Sequence, residues 1–390
     1  MSTALKSVVL KKGKEHSVLR RHPWIFSGAI HQSDAGLHDG DWVKVLDAGQ
    51  QVLGYGHYQK GSITVRVLSF GPTQPDENFY ADKMATAFTL RSRLVTSNET
   101  NAYRLIHGEG DGLPGLIIDV YNGIAVVQAH SHGMHRDRQR IADAITKQLK
   151  SSIDCVFYKS QGTLEKTENE YLAGMAAVPH VILEHGQKFF VDWEEGQKTG
   201  FFLDQRENRE LVGRYSMGRK VLNTFCYTGG FSIYALNHGA ELVHSVDASE
   251  KAIALTRKNI ELNGFDPTVH ECYAQDTFDF LKDRDDQYDL IILDPPAFAK
   301  HKDSKHQAMK GYQRLNAEAM RKIKSGGVLF TFSCSQVVDR QLFYDTIVSA
   351  AIQAGREIKV LHHLGQPADH PVSIYHREGE YLKGLVLYVQ

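Results

Sequence analysis

From about residue 195 the chain alternates short apolar runs with stretches of helical spacing. "KVLNTF", "LVHSVD", "TVHECY", "LIILD" and "GVLFTFS" are strand-like. "GGFSIYALNHG", "SEKAIALTRKNIELNG" and a segment from about 311 to 324 place apolar residues at the spacing of a helix face. Strands alternating with helices predict a mostly parallel, doubly wound α/β sheet. Ligands of such sheets bind outside the carboxyl ends of the strands, so the residues after each strand are the ones to read.

After "VLNTF" comes Cys226-Tyr227-Thr228-Gly229-Gly230-Phe231. Paired glycines at a strand-to-helix turn let backbone amides approach a ligand. The turn is not GxGxxG, so a ligand without a pyrophosphate fits better, with an ordinary tight turn as the alternative. Asp247 ends the next strand, 18 residues beyond Gly229, where an acid takes ribose hydroxyls. Helix capping is its alternative, but Ser249 is already there as an N-cap. Asp276, after the third strand, is suited equally to an adenine amino group or to an N-cap. Asp294-Pro295-Pro296-Ala297-Phe298 follows the fourth. Two prolines make that loop rigid. Asp294 is then well placed to hold a planar base and Phe298 to stack on it, unless the loop is merely a stiff turn. Finally "VLFTFSCSQ" (328–336) ends a buried run with Cys334 between two serines. A small buried residue is one reading, a nucleophile over a bound substrate the other.

The first 72 residues read differently. "SVVL", "WVKVLD", "QVLGYGHY" and "SITVRVLSF" are short strands with turn residues between them, a small β-barrel pattern. "GPTQPDE" is a linker. Residues 73–192 then mix helical spacing (78–97 and 134–149) with strands, including a tight hairpin at Asn122-Gly123, and form an α+β region. The net charge of −1 announces no global field, yet residues 1–22 carry Lys6, Lys11, Lys12, Lys14, Arg20 and Arg21 against Glu15, just ahead of Trp24 and Phe26. Lys300, Lys302, Lys305, Lys310 and Arg314 follow the Asp294 loop. Both runs suit RNA phosphates, and both also suit a solvated surface. The four cysteines form no CxxC pair, which fits free thiols in a reducing cytoplasm. No apolar run approaches the roughly 20 residues of a membrane helix. His130, His132 and His135 lack a matching carboxylate or cysteine, so no metal is expected.

Taken in order, Phe225–Phe231, Asp247, Asp276 and Asp294–Phe298 resemble the motifs of class I S-adenosylmethionine-dependent methyltransferases. "RRHPWIFSGAI" looks like the opening of a PUA domain, an RNA-binding barrel. With "EGDGLPGLIIDVY" and "GQKTGFFLDQRENR", nearly the whole chain resembles the ribosomal RNA large subunit methyltransferase I family. The resemblance implies a PUA barrel (1–72), a small α+β domain (73–192) and a Rossmann-like methyltransferase domain (193–390). It implies S-adenosylmethionine near Gly200, Asp204, Thr228, Gly229, Gly230, Asp247, Asp276 and Asp294. It also implies methylation of cytosine carbon 5 in 23S ribosomal RNA, with Cys334 as nucleophile, Asp294 at the cytosine edge, and Pro295, Phe298, Lys300 and Arg21 toward RNA. Where related enzymes keep a second cysteine, this chain has Pro296, so proton removal and product release must differ. Cys155, Cys226 and Cys272 read as packing. A homodimer through the barrel is a further expectation.

Three other functions compete with this one. A guanine N-methyltransferase shares the Asp-Pro-Pro-x-Phe loop and needs no cysteine, so product identity separates it. A nicotinamide dehydrogenase lacks its GxGxxG here. An inactive RNA-binding assembly factor would not need the set of Gly229, Asp247, Asp294 and Cys334.

Overall fold

Alternating apolar residues build the first sheet of the computed structural model, which describes residues 5–165, 167–282, 284–285, 287–298 and 305–390. Strands β1 (Lys6–Leu10), β2 (Trp24–Phe26), β3 (Ile30–Ser33), β4 (Trp42–Leu46), β5 (Val52–Tyr58) and β6 (Ile63–Phe70) pair in the order β2-β6-β5-β4-β1-β3. A one-turn helix α1 (His16–Leu19) precedes β2. Val8, Leu10, Val43, Val45, Val65 and Val67 alternate inward and close its core.

Helix α2 (Phe79–Leu94) leads to a second sheet of β7 (Ala102–His107), β8 (Leu116–Tyr121), β9 (Ile124–Ala129), β10 (Cys155–Tyr158) and β11 (Glu170–Ala173), ordered β11-β10-β9-β8-β7. Asn122 and Gly123 turn β8 into β9 with φ of 47° and 90°, the left-handed pair of a tight hairpin. The single helix expected over 134–149 is two, α3 (His132–Arg136) and α4 (Arg138–Gln148), broken at Asp137. The break has a cause. The Asp137 carboxylate turns inward to accept from Tyr80 Oη (2.6 Å) and Trp42 Nε1 (2.8 Å), and meets His57 Nε2 at 3.2 Å. Leu68 of β6 shares a core with Met84, Leu105, Ile118 and Ile141, so the two sheets belong to one unit, Met1–Ile182, Val191–Phe201 and Ala368–Gly379.

Asp137 makes this unit acid-labile. Burial alone would raise its pKa, but His57, then the bonds from Tyr80 and Trp42, hold it down to about 2. Burial lowers the pKa of His57 itself, so near neutrality His57 supplies a hydrogen bond rather than a full ion pair. An unfolded aspartate titrates near 3.9, so the unfolded chain takes up the proton first as pH falls. The stabilisation is fully present above about pH 4 and is lost between about pH 4 and 2, roughly 2–3 kcal/mol in all. Urea midpoints followed by Trp fluorescence should show this loss, and Asp137→Asn should flatten it.

The second unit comprises Leu183–Phe190, Phe202–Pro367 and Glu380–Gln390. A ribbon of β12 (His180–Glu184) and β13 (Gln187–Val191) carries the chain between the two units. Then follow α5 (Arg206–Arg214), β14 (Lys220–Thr224), α6 (Gly230–Asn237), β15 (Leu242–Asp247), α7 (Glu250–Leu262), β16 (His270–Ala274), α8 (Thr277–Leu281), β17 (Tyr288–Leu293), α9 (Lys305–Lys322), β18 (Ile323–Ser333), α10 (Arg340–Ala354), β19 (Ile358–Leu364) and β20 (Lys383–Val389). Seven strands pair as β16-β15-β14-β17-β18-β20-β19. The expected parallel alternation holds through β18, and β20 then inserts antiparallel to both of its neighbours. Leu222, Val246, Ile291, Leu293, Leu329, Leu385 and Leu387 fill the core with Tyr312 and Met320 of α9. Among the described residues no helix is long and apolar enough to cross a membrane.

Candidate active site at the strand ends

Register brings the site together. Val246, Thr224, Leu293, Thr331 and Leu385 lie in one line across β15, β14, β17, β18 and β20. Asp247, Phe225–Gly230, Asp294–Phe298 and Ser333–Ser335 therefore leave the sheet at the same edge. Because β20 runs the other way, its first residue, Lys383, reaches that edge too, opposite Ser333.

The glycine turn is strained and pinned. Phe225, Tyr227 and Gly229 all have left-handed φ, of 54°, 48° and 76°. Non-glycine residues seldom adopt this geometry unless their surroundings hold it. Here Asp247 Oδ2 accepts Tyr227 N (3.1 Å), Thr256 Oγ1 donates to Tyr227 O (3.1 Å), and Asn259 Nδ2 donates to Thr228 O (2.9 Å). Gly229 is required beyond its φ, since a Cβ there would lie 2.7 Å from Thr256 Cγ2.

Asp247 accepts one hydrogen bond per oxygen, from Tyr227 N and from Ser249 N (2.9 Å), and Ser249 caps α7 as expected. Asp276, an exposed residue, caps α8 through Oδ1, which takes Phe278 N and Asp279 N. Asp294 Oδ2 accepts from Gln205 Nε2 at 3.0 Å. Pro295 is buried. The half-buried Phe298 ring packs 4.7 Å from Tyr312.

Cys334 sits just past β18, half-buried, and both flanking serines are tied down. Ser333 Oγ donates to Tyr312 Oη at 3.0 Å. Ser335 O accepts Lys383 Nζ at 2.6 Å. The remaining cysteines fit their reading as packing. Burial pushes Cys155 and Cys272 up to about 11, and Cys226 higher still. Such thiols are not thiolates near neutrality.

A family model for S-adenosylmethionine-dependent methyltransferases matches residues 104–374, and one for a PUA-like domain matches 8–70. The ribosomal RNA large subunit methyltransferase I of Alteromonas mediterranea is 40% identical over 389 residues, 97% of this chain and 98% of its own. That of Aeromonas hydrophila is 39% identical, covering 98% of both chains. This chain belongs to the ribosomal RNA large subunit methyltransferase I family. In fold it is similar to a solved chain from Streptococcus mutans described as a SAM-dependent methyltransferase, with TM-score 0.84 and 23% identity over 98% of this chain and 100% of that one.

The residues present fit S-adenosylmethionine, the cofactor of this methyltransferase family. A carboxylate offers about four lone-pair sites, and the two hydrogen bonds on Asp247 leave one per oxygen for a ribose diol. The turn at Gly229 offers backbone without a phosphate-binding fingerprint. Asp247→Ala should weaken S-adenosylmethionine binding about 10- to 100-fold, since each hydrogen bond to a charged group is worth about 1.5–3 kcal/mol. Titration calorimetry checks this, and unchanged affinity would remove Asp247 from the site.

Most of "KTGFFLDQREN" is buried, with Lys198 and Glu207 exposed. Asp204 is buried and accepts Tyr381 Oη at 2.6 Å, and Arg206 is buried as well. Gly200 belongs to the first unit, at φ 126° over the Asp192 backbone. Arg21 also lies in the first unit, exposed, with φ 60°. Lys300 and Lys302 lie outside the described residues. Lys310 and Arg314 are exposed on α9, with Arg314 over the Phe278 ring at 4.2 Å. His135 of the histidine-rich tract meets Tyr158 Oη at 2.7 Å through Nδ1. Three ligand-type side chains come together elsewhere, at His22, His376 and Glu378. Gln205, Tyr312 and Lys383 were not singled out from the sequence. A lone lysine opening the apolar run "KGLVLYV" was a signal for the last, because a charge buried in a sheet needs a reason.

Proposed function

We propose that this protein methylates carbon 5 of a cytosine in 23S ribosomal RNA through a covalent cysteine adduct. The observation that carries the reading is Cys334 at the end of β18, held on both sides by Ser333 and Ser335, at the same sheet edge as Asp247 and Asp294. Carbon 5 of cytosine is a poor nucleophile. Addition of the Cys334 thiolate to carbon 6 pushes electrons to carbon 5 and makes it enamine-like. When bound, S-adenosylmethionine supplies an electrophilic methyl group for that carbon. Loss of the carbon-5 proton and expulsion of the thiolate then restore the aromatic ring. Asp294, oriented by Gln205, takes the cytosine amino edge, and Asp247, Asp276 and the Gly229 turn hold the cofactor. Phe298, Pro295 and the basic residues Arg21, Lys300, Lys310 and Arg314 belong to the RNA path.

The target base must leave its stack to meet Cys334, so opened or single-stranded RNA is the preferred substrate. We further assign residues 1–72, 73–192 and 193–390 to RNA binding, a connecting α+β region and catalysis. The test is nucleoside mass spectrometry on 23S RNA lacking the modification, incubated with protein and S-adenosylmethionine. 5-Methylcytidine is expected. A methylguanosine would place the enzyme with the guanine N-methyltransferases, and no methylated product would favour an assembly factor.

A further inference from the structure

Lys383 is a buried cation, only 4% exposed, at the first position of an interior strand. Its Nζ donates to the carbonyls of Ser335 (2.6 Å) and Tyr381 (2.8 Å), which takes two of its three N–H bonds. A buried ammonium needs a counter-charge. The titratable groups that act on it include Cys334, Arg340, Asp339 and Glu380. Glu380 is engaged by Arg340, and Asp339 caps α10 by accepting Leu342 N at 2.8 Å. Tyr312, across the Cys334 segment, is a neutral phenol whose pKa burial pushes up to about 12. Cys334 lies between Ser333, which faces Lys383 in the β18–β20 register, and Ser335, whose carbonyl accepts Lys383 Nζ, so its sulfur is held in the field of that ammonium.

We propose that Lys383 is the positioning residue that holds Cys334 as a thiolate, and that the ion pair forms across the β18–β20 register. The inference rests on the reading of Cys334 as the nucleophile. The Cys334 proton is lost to solvent, and the ammonium keeps its own throughout. When the sulfur–carbon 6 bond forms, the negative charge leaves sulfur for the ring. It returns to sulfur, beside the ammonium, when that bond breaks. Burial pushes the Lys383 pKa down to about 8 while the sulfur's charge opposes the fall, so the ammonium still predominates at neutral pH. The same side chain braces the Ser335 carbonyl, so one residue sets both the place and the charge of the thiol.

The test is the pH dependence of iodoacetamide alkylation at Cys334, read peptide by peptide by mass spectrometry. The whole protein is used, as wild type, Lys383→Gln and Lys383→Arg. Glutamine keeps amide donors but no charge, while arginine keeps the charge. In the wild type, the alkylation midpoint of Cys334 should lie below that of the same cysteine in urea-unfolded protein. Lys383→Gln should raise it by about a unit or more, slowing alkylation at pH 7 by roughly 3- to 10-fold per unit, and Lys383→Arg should restore most of the rate. A merely structural brace would leave the midpoint where it was. An identical profile in wild type and Lys383→Gln overturns the proposal. So does a wild-type midpoint at or above the unfolded value, even if the variants fail to fold. No RNA enters the assay. A failure here is thus distinct from a failure to find 5-methylcytidine.

Discussion

Cys334→Ala should remove 5-methylcytidine formation by a factor of at least about 10³, because no other group can supply the covalent step. Serine should rescue little, since a hydroxyl is not ionised near neutrality. Because Cys334 is half-buried at a strand end, truncation opens no core cavity, and thermal stability should stay within about 1 kcal/mol of wild type. Affinity for S-adenosylmethionine should also be unchanged, as Asp247 and the Gly229 turn are untouched. Single-turnover mass spectrometry of the product nucleoside checks the loss. Undiminished methylation would make Cys334 a packing residue. The other cysteines cannot substitute, because burial holds each of their thiols protonated.

The second large effect is on stability. Arg209 of α5 makes a two-pronged pair with Glu184, with both contacts at 2.7 Å and both side chains buried. Its Nη1 also reaches the Phe202 carbonyl at 3.0 Å. Arg209→Ala leaves Glu184 as an uncompensated buried charge, and the second unit should lose about 3–5 kcal/mol. Replacing both partners, Glu184→Met with Arg209→Met, should recover much of that loss, because the ion pair is costly to break singly rather than strongly stabilising as a pair. All three tryptophans, Trp24, Trp42 and Trp193, lie in the first unit, so circular dichroism rather than their fluorescence should follow the transition in urea. The effect should reach the cofactor turn. A Cβ on Gly230 would lie 2.9 Å from Arg209 Cδ, so the arginine is packed directly beneath that glycine.

The parts of this molecule legible in its sequence were those written in local periodicity and turn chemistry. The strand ends at Asp247 and Asp294, the Ser249 cap and the Asn122-Gly123 hairpin all follow from residues within a few positions of one another. The break at Asp137 was not legible, because its partners Trp42, His57 and Tyr80 come from distant segments. Asp276 showed its capping role because that bond is local. Lys383 was hidden for the opposite reason. Its meaning depends on β20 pairing with β18 at Ser333, some 50 residues earlier in the chain. Pairing at such separation leaves no pattern in a single sequence.

The insertion of β20 between β18 and β19 has a consequence for how the protein is made. Both neighbours are synthesised before the strand that joins them. Until β20 leaves the ribosome, β18 and β19 present open hydrogen-bonding edges that invite wrong partners. The nascent sheet can hold only its five parallel strands, and the lysine proposed to charge the nucleophile arrives with the closing strand. Competence would therefore come as one late event in biosynthesis, and a chain stopped before residue 383 would be a hazard to its neighbours rather than a slow enzyme.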